Sequence, residues 1–205
     1  MTLVIAVLAS GKATDLYAVD NAIREGRLLA RIACLISNKP DAPCLERARS
    51  LGIEALLVRQ EGKAREDYDR EVAALLDERG VQLVVLIGFM RILSDWFVDR
   101  YKNRIINVHP SLLPEFGGLM DLDVHRAVLA TGTKETGATI HFVTNELDGG
   151  PLIMQKTIPV SETDTPETLK AKVQAVEQDL LPKVIALIEQ GRVKIVEGKV
   201  VIKEG

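Results

Sequence analysis

The sequence predicts an α/β fold, a doubly wound and mainly parallel sheet, on three observations. Short runs rich in Val, Ile and Leu recur through the first half with little polar alternation, as in strands buried on both faces. Segments of helical apolar spacing lie between them, each closed by a glycine. Strand and helix therefore alternate, which favours parallel pairing through right-handed crossovers.

Leu3–Ala9 predicts the first strand, and Leu16, Val19 and Ile23 the helix that follows it as far as Gly26. Residues 32–36 predict the second strand, with a helix through Leu45, Ala48 and Leu51 stopped at Gly52. Residues 55–58 form the third, and Tyr68, Val72, Leu75 and Leu76 mark a helix ending at Gly80. The fourth and fifth strands are residues 83–87 and 105–108.

Beyond Pro114 the pattern changes. Residues 115–120 read as a mobile loop around Gly117-Gly118, residues 124–130 as a short helix before Gly132, and residues 139–143 and Leu152–Pro159 as two more strands. Thr165 and Pro166 supply a helix cap and a first-turn proline. Leu169, Val173, Val176, Leu180, Val184 and Leu187 carry that helix almost to Gly191, with a bend expected at Pro182. Residues 192–196 and 199–203 form a terminal hairpin around Glu197-Gly198.

A chain of 205 residues can bury a substantial core, and no second core is required, so one domain over residues 1–205 is expected. The net charge of −3 argues against a nucleic-acid binder with a broad basic face. Cys34 and Cys44 suggest no disulfide framework. With no basic leader and no apolar run of about eighteen residues, cytoplasmic residence off the membrane is expected.

Asn107 and His109 are the strongest chemical signal. Two residues apart on a strand, they project from one face, and Pro110 then stops the ladder. Strand ends of an open parallel sheet are where ligands bind. An imidazole that carries a proton near neutrality, beside an amide that donates to an oxyanion, suits acyl transfer; the pair also suits a satisfied turn histidine and a loop cap.

Three further stretches join them. Gly11, Lys12, Ala13, Thr14 and Asp15 form the first strand-to-helix turn, where helix-start amides can hold an anion; equally, Thr14 or Asp15 can cap the helix. This turn has neither a G-x-G-x-x-G nor a P-loop pattern. Met90, Arg91, Ile92 and Leu93 leave the fourth strand and suit either a flat heteroaromatic ligand or the core. Asp148, before Gly149-Gly150, is either a turn residue or a carboxylate that raises the pKa of His109. His125 reads as lying on a surface helix and His141 within a strand, and no spacing suggests a metal.

These pieces in this order resemble the folate-dependent phosphoribosylglycinamide formyltransferases. The resemblance spans nearly the whole chain and rests on the first glycine turn, Gly88-Phe89-Met90-Arg91-Ile92-Leu93, Asn107-Val108-His109-Pro110-Ser111-Leu112-Leu113-Pro114, Glu135-Thr136-Gly137-Ala138-Thr139 and Asp148-Gly149-Gly150-Pro151. It implies the formyltransferase fold, with a Rossmann-like part over residues 1–110 that holds a phosphate and a part over residues 111–205 that completes a folate site. The implied reaction carries a formyl group from 10-formyltetrahydrofolate to the amine of 5'-phosphoribosylglycinamide in purine synthesis, with no metal.

By the same resemblance Asn107, His109 and Asp148 are catalytic. Arg65, Met90, Arg91, Ile92, Leu93, Asn107, Thr144, Asn145, Glu146, Leu147 and Asp148 hold the folate, and Gly11, Lys12, Ala13, Thr14, Asp15, Gln174 and Glu177 hold the acceptor, Glu177 at its amine. The implied partners are small molecules, with no nucleic acid or membrane, and the chain acts as a monomer or homodimer. The chain departs from the pattern at its first turn, commonly Gly-x-Gly-Ser/Thr-Asn in the family and here Gly11-Lys12-Ala13-Thr14-Asp15. Residues 117–123 match no family feature. Another small amine, such as an amino sugar nucleotide, is the alternative acceptor, and a catalytically silent folate- or nucleotide-binding protein is the alternative class. Transfer-RNA formyltransferases carry a substantial C-terminal domain where this chain has a hairpin, and formyl-folate hydrolases carry an N-terminal domain that is not expected here.

Overall fold

The computed structural model describes residues 2–203. Strands β1 (Leu3–Ala9), β2 (Ala30–Ser37), β3 (Ala55–Leu57), β4 (Leu83–Leu86), β5 (Ile105–His109), β6 (Glu135–Phe142) and β7 (Leu152–Pro159) form one sheet in the order β3-β2-β1-β4-β5-β6-β7. The first five are parallel, whereas β6 runs antiparallel to β5 and β7. The helices are α1 (Leu16–Arg24), α2 (Pro43–Ser50), α3 (Arg65–Glu78), α4 (Asp95–Arg100), α5 (Leu122–Thr131) and α6 (Pro166–Glu189), and β8 (Val193–Val196) pairs with β9 (Lys199–Ile202) as the terminal hairpin.

Alternation along the central strands feeds both faces. Ile5, Val7 and Ala9 pack with Leu16 and Val19 of α1, Leu45 of α2 and Val173 and Val184 of α6. Ala6 and Leu8 point the other way, toward Tyr68, Val72 and Leu76 of α3 and Phe97 of α4. Burying each large apolar side chain stabilises the fold by about 1.5–3 kcal/mol, so the continuous apolar runs are what a sheet covered on both sides demands.

From β1 the chain winds outward to β2 and β3, then returns to place β4 and β5 on the other side of β1. The strand order reverses between β1 and β4, and a crevice opens there at the carboxyl ends of the strands.

Several expectations change in detail. Helix α4 went unread because a six-residue helix carries little periodicity; its signal was Ser94, whose hydroxyl caps it by accepting from the Phe97 N–H at 3.3 Å. Strand β6 starts four residues before the expected 139, at Glu135. Gly137 conceals that start: a Cβ there would stand 2.0 Å from the Lys156 carbonyl on β7, so close strand approach requires glycine. Helix α6 runs on through Pro182, where Leu181, Val184 and Ile185 around it are fully buried and hold the helix by packing. Thr165 caps α6 as expected, accepting from the Thr168 N–H at 3.2 Å while Thr168 returns a bond.

Candidate active site

The crevice is a cavity of about 510 Å³, and every residue singled out above as catalytic, folate-binding or acceptor-binding lines it. Gly11, Lys12, Ala13, Thr14 and Asp15 come from the end of β1, Met90 to Leu93 from the loop after β4, and Asn107 and His109 from β5. Arg65 opens α3, Thr144 to Asp148 form the loop between β6 and β7, and Gln174 and Glu177 lie on α6.

The turn after β5 is fixed from behind. The Thr139 hydroxyl donates to the Ser111 carbonyl at 2.6 Å and accepts from the Leu113 N–H at 3.1 Å, and Gln155 Nε2 donates both to that hydroxyl and to the Leu113 carbonyl at 2.8 Å. His109 is thereby aimed into the crevice by a rigid, fully bonded turn. The loop carrying Asp148 closes just as tightly: a Cβ on Gly150 would stand 1.8 Å from the Phe142 carbonyl, so the chain can pass only with glycine there. Asp148 itself takes a positive φ of 52°, and its Oδ2 accepts from the Gly118 N–H at 2.8 Å. That bond ties the 115–120 loop to the connection between β6 and β7.

Asp148 meets two imidazoles, with Oδ2 3.4 Å from His109 Nδ1 and Oδ1 3.6 Å from His141 Nε2. His141 is the residue that sequence reasoning missed, although it sits directly across the β5–β6 ladder from Asn107. Its Nδ1 lies 2.9 Å from the Phe142 carbonyl, which can only accept, so Nδ1 carries the proton and Nε2 accepts from Asn107 Nδ2 at 3.1 Å. Asn107 is thus oriented by a neutral histidine. His109 Nε2 lies 3.3 Å from the Phe116 carbonyl, so a protonated His109 has an acceptor at each nitrogen.

Burial nevertheless holds His109 below its usual pKa, and the Asp148 carboxylate and Phe116 carbonyl offset this only in part. Asp148 does pull the His109 pKa upward, as expected, but desolvation outweighs it. Burial lowers His141 as well, against the pull of the Phe142 carbonyl and Asp148.

At the other end of the cavity, Ala13 takes a positive φ of 46°, the left-handed conformation that favours glycine. Asp15 starts α1, but its side chain makes no cap bond, contrary to the capping alternative. It is buried at 2% exposure, with Thr14 Oγ1 3.5 Å away. Burial pushes its pKa up to about 7, opposed by Thr14, Arg47 and Gln178. Glu177, also buried, is raised well above the usual carboxylate range by burial and then by the charge of Asp15, with Lys170 opposing. Burial and mutual repulsion thus favour the neutral carboxyl form at this end of the cavity.

Two more cavity residues carried no sequence signal. Lys170 lies one turn before Gln174 on α6 and pairs with Asp121. His125, expected on an exposed helix face, is buried at 1% exposure because α5 turns Val124, His125 and Val128 inward. Burial, with Lys170 adding, lowers its pKa to about 4 against the pull of Asp121.

The folate-side segment presents backbone rather than charge. Among the described residues the N–H and C=O groups of Arg91, Ile92 and Leu93 bond to no other group of the chain, while Met90, Ile92 and Leu147 stay partly exposed beside them. Free amide edges between apolar side chains suit a flat ligand with donors and acceptors on its rim. Among the described residues no group of His, Cys, Asp and Glu could hold a metal ion, and no helix is long and apolar enough to cross a membrane.

Comparison with known proteins gives one consistent picture. The family described as Formyl transferase matches residues 3–185. Over 194 residues the chain is 43% identical to the phosphoribosylglycinamide formyltransferase of Escherichia coli (strain K12), covering 94% of this chain and 90% of that one. The solved glycinamide ribonucleotide transformylase 1 from Symbiobacterium toebii is similar with a TM-score of 0.95 and 41% identity, over 99% of this chain and 95% of that one. A formyltetrahydrofolate deformylase from Pseudomonas syringae pv. tomato is 28% identical with a TM-score of 0.91, but all of this chain covers only 67% of its length.

Proposed function

The chain belongs to the formyl transferase family, and on that premise we propose that it transfers a formyl group from 10-formyltetrahydrofolate to the amine of 5'-phosphoribosylglycinamide. Phosphoribosylglycinamide formyl transfer is the activity named for its relatives of similar length, and a reduced folate is the co-substrate that such chemistry uses. The observation that carries the assignment of roles is that Asn107, His109 and Asp148 line one cavity, with Asp148 3.4 Å from His109 and connected to Asn107 through His141.

The chemistry follows from those groups. The neutral acceptor amine adds to the formyl carbon, giving an oxyanion and a cationic nitrogen. Asn107, held by His141, donates to the oxyanion, and protonated His109 joins it by turning its Nε2 N–H from the Phe116 carbonyl to the oxyanion. Asp148 stabilises the imidazolium and assists transfer of the amine proton to the departing folate nitrogen as the old C–N bond breaks. Burial disfavours the imidazolium in the resting site, so in this scheme His109 takes up its proton as the oxyanion develops beside it, with Asp148 supporting the charge.

We assign the folate to Arg65, to Met90 through Leu93, and to Thr144 through Asp148. The acceptor takes the Gly11 to Asp15 turn with Gln174 and Glu177; Lys12 and Lys170 supply positive charge for its phosphate. The reading carries with it one domain over residues 1–205, small-molecule partners and cytoplasmic residence. Transfer measured from 10-formyltetrahydrofolate to a panel of amines tests it: phosphoribosylglycinamide should be the preferred acceptor, and preference for an amino sugar nucleotide, or hydrolysis without transfer, would overturn it.

A further inference from the structure

Behind the folate-side segment, four strand ends are joined by one closed ring of hydrogen bonds. The Met90 N–H donates to Ser10 Oγ at 2.8 Å, and the Ser10 hydroxyl donates to Asn38 Oδ1 at 2.6 Å. Asn38 Nδ2 donates to Gln60 Oε1 at 2.8 Å, and Arg91 reaches back to the same oxygen at 2.9 Å. Ser10 follows β1, Asn38 follows β2, Gln60 lies beyond β3, and Met90 and Arg91 lie beyond β4, so the ring crosses the sheet in strand order and Arg91 closes it.

Its polarity has no freedom. A backbone N–H and a guanidinium can only donate, and they occupy the two ends. Ser10 Oγ must accept from Met90, which commits its own proton to Asn38 Oδ1 and turns the Asn38 amide nitrogen toward Gln60. Both lone pairs of Gln60 Oε1 are then used. Ser10 and Asn38 are almost fully buried, where unmet polar groups are costly, and neither they nor Gln60 line the cavity. The Arg91 guanidinium is held on its other side by the Tyr68 ring, 4.1 Å away, and the segment's far end by Asp69, which accepts from the Ser94 N–H at 2.6 Å.

We propose that Gln60, with Asn38 and Ser10, is a positioning relay that sets the backbone of residues 90–93 for the folate from outside the site. The ring consumes the Met90 N–H and the Arg91 side chain and leaves the backbone of Arg91, Ile92 and Leu93 free for ligand. Gln60 is its convergence point, because removing one oxygen strands two donors at once. This inference rests on the formyl-folate reading for the identity of the ligand, but not for the positioning itself.

The test compares Gln60→Leu, Gln60→Glu and wild type. Gln60→Leu should raise KM for 10-formyltetrahydrofolate about tenfold, as expected for losing one to two net hydrogen bonds. Its kcat and its KM for the acceptor should stay within about twofold. Gln60→Glu keeps an acceptor oxygen for both donors and should restore the folate KM. Amide hydrogen exchange of the substrate-free proteins reads positioning without turnover: the Met90 amide, which the ring holds, should exchange faster in Gln60→Leu and at the wild-type rate in Gln60→Glu. A folate KM unchanged in Gln60→Leu, an equal rise in the acceptor KM, or a glutamate that behaves as leucine would overturn the proposal. A wild type that transfers no formyl group overturns the functional reading instead, and the exchange rates then decide the relay alone.

Discussion

Oδ2 of Asp148 lies 3.4 Å from Nδ1 of His109, close enough to sustain an imidazolium but not to offset the cost of burying it. Because the carboxylate raises the His109 pKa while burial lowers it, Asp148→Asn leaves burial unopposed. That variant should lose about a hundredfold or more in kcat, and the His109 limb of its pH–rate profile should move to lower pH. An unchanged profile would reduce Asp148 to a turn residue.

His141 orients the Asn107 amide without reaching the reacting atoms in the proposed scheme. His141→Leu should therefore lower kcat about tenfold or more while both KM values stay near wild type, because an oxyanion donor counts mainly in the transition state. His141→Gln, which can still accept from Asn107, should recover part of the loss. A change confined to KM would show that His141 shapes binding instead.

Asp15 and Glu177 make acceptor binding depend on pH. Asp15, ordinarily ionised above 3.8, retains its proton up to about 7. Raising the pH through neutrality therefore adds negative charge where a phosphate is proposed to sit, and like charges repel even at an effective dielectric near ~20. The acceptor KM of the wild type should rise several-fold between pH 6 and 8, and Asp15→Asn should lower and flatten it with the folate KM unchanged. An identical slope in the variant would mean that Asp15 does not face the phosphate.

His125 is buried with a pKa of about 4, against an ordinary 6.5. Between these values the unfolded chain binds the proton and the folded one does not, so this group's contribution to stability is present above about 6.5 and is lost as the pH falls toward 4. Urea unfolding of wild type and His125→Gln at pH 7 and pH 5 isolates it: the wild type should lose on the order of 1–3 kcal/mol more than the variant on acidification. Equal losses would place His125 in contact with water.

The sheet was legible because strands buried on both faces leave unbroken apolar runs, and Asn107 and His109 because alternation needs no tertiary information. His141 was not, since its place opposite Asn107 depends on the β5–β6 register, a pairing between residues far apart in sequence. His125 and Lys170 escaped for a related reason: which face of α5 and α6 turns inward is decided by packing against each other, and charged or polar residues there break the apolar pattern that marks a core face. The Gly11 to Asp15 turn showed its departure from the family pattern in sequence, but only the fold shows Asp15 sharing its burial with Glu177.

In the proposed scheme His109 is the protonated donor on which formyl transfer depends. The most direct measurement of that claim is the rate of formyl transfer from 10-formyltetrahydrofolate to phosphoribosylglycinamide by wild type and by His109→Ala, with circular dichroism confirming that both are folded. Wild type should turn over and His109→Ala should fall by about a hundred- to ten-thousand-fold, with folate binding retained. A folded His109→Ala protein that transfers formyl at the wild-type rate would contradict the claim.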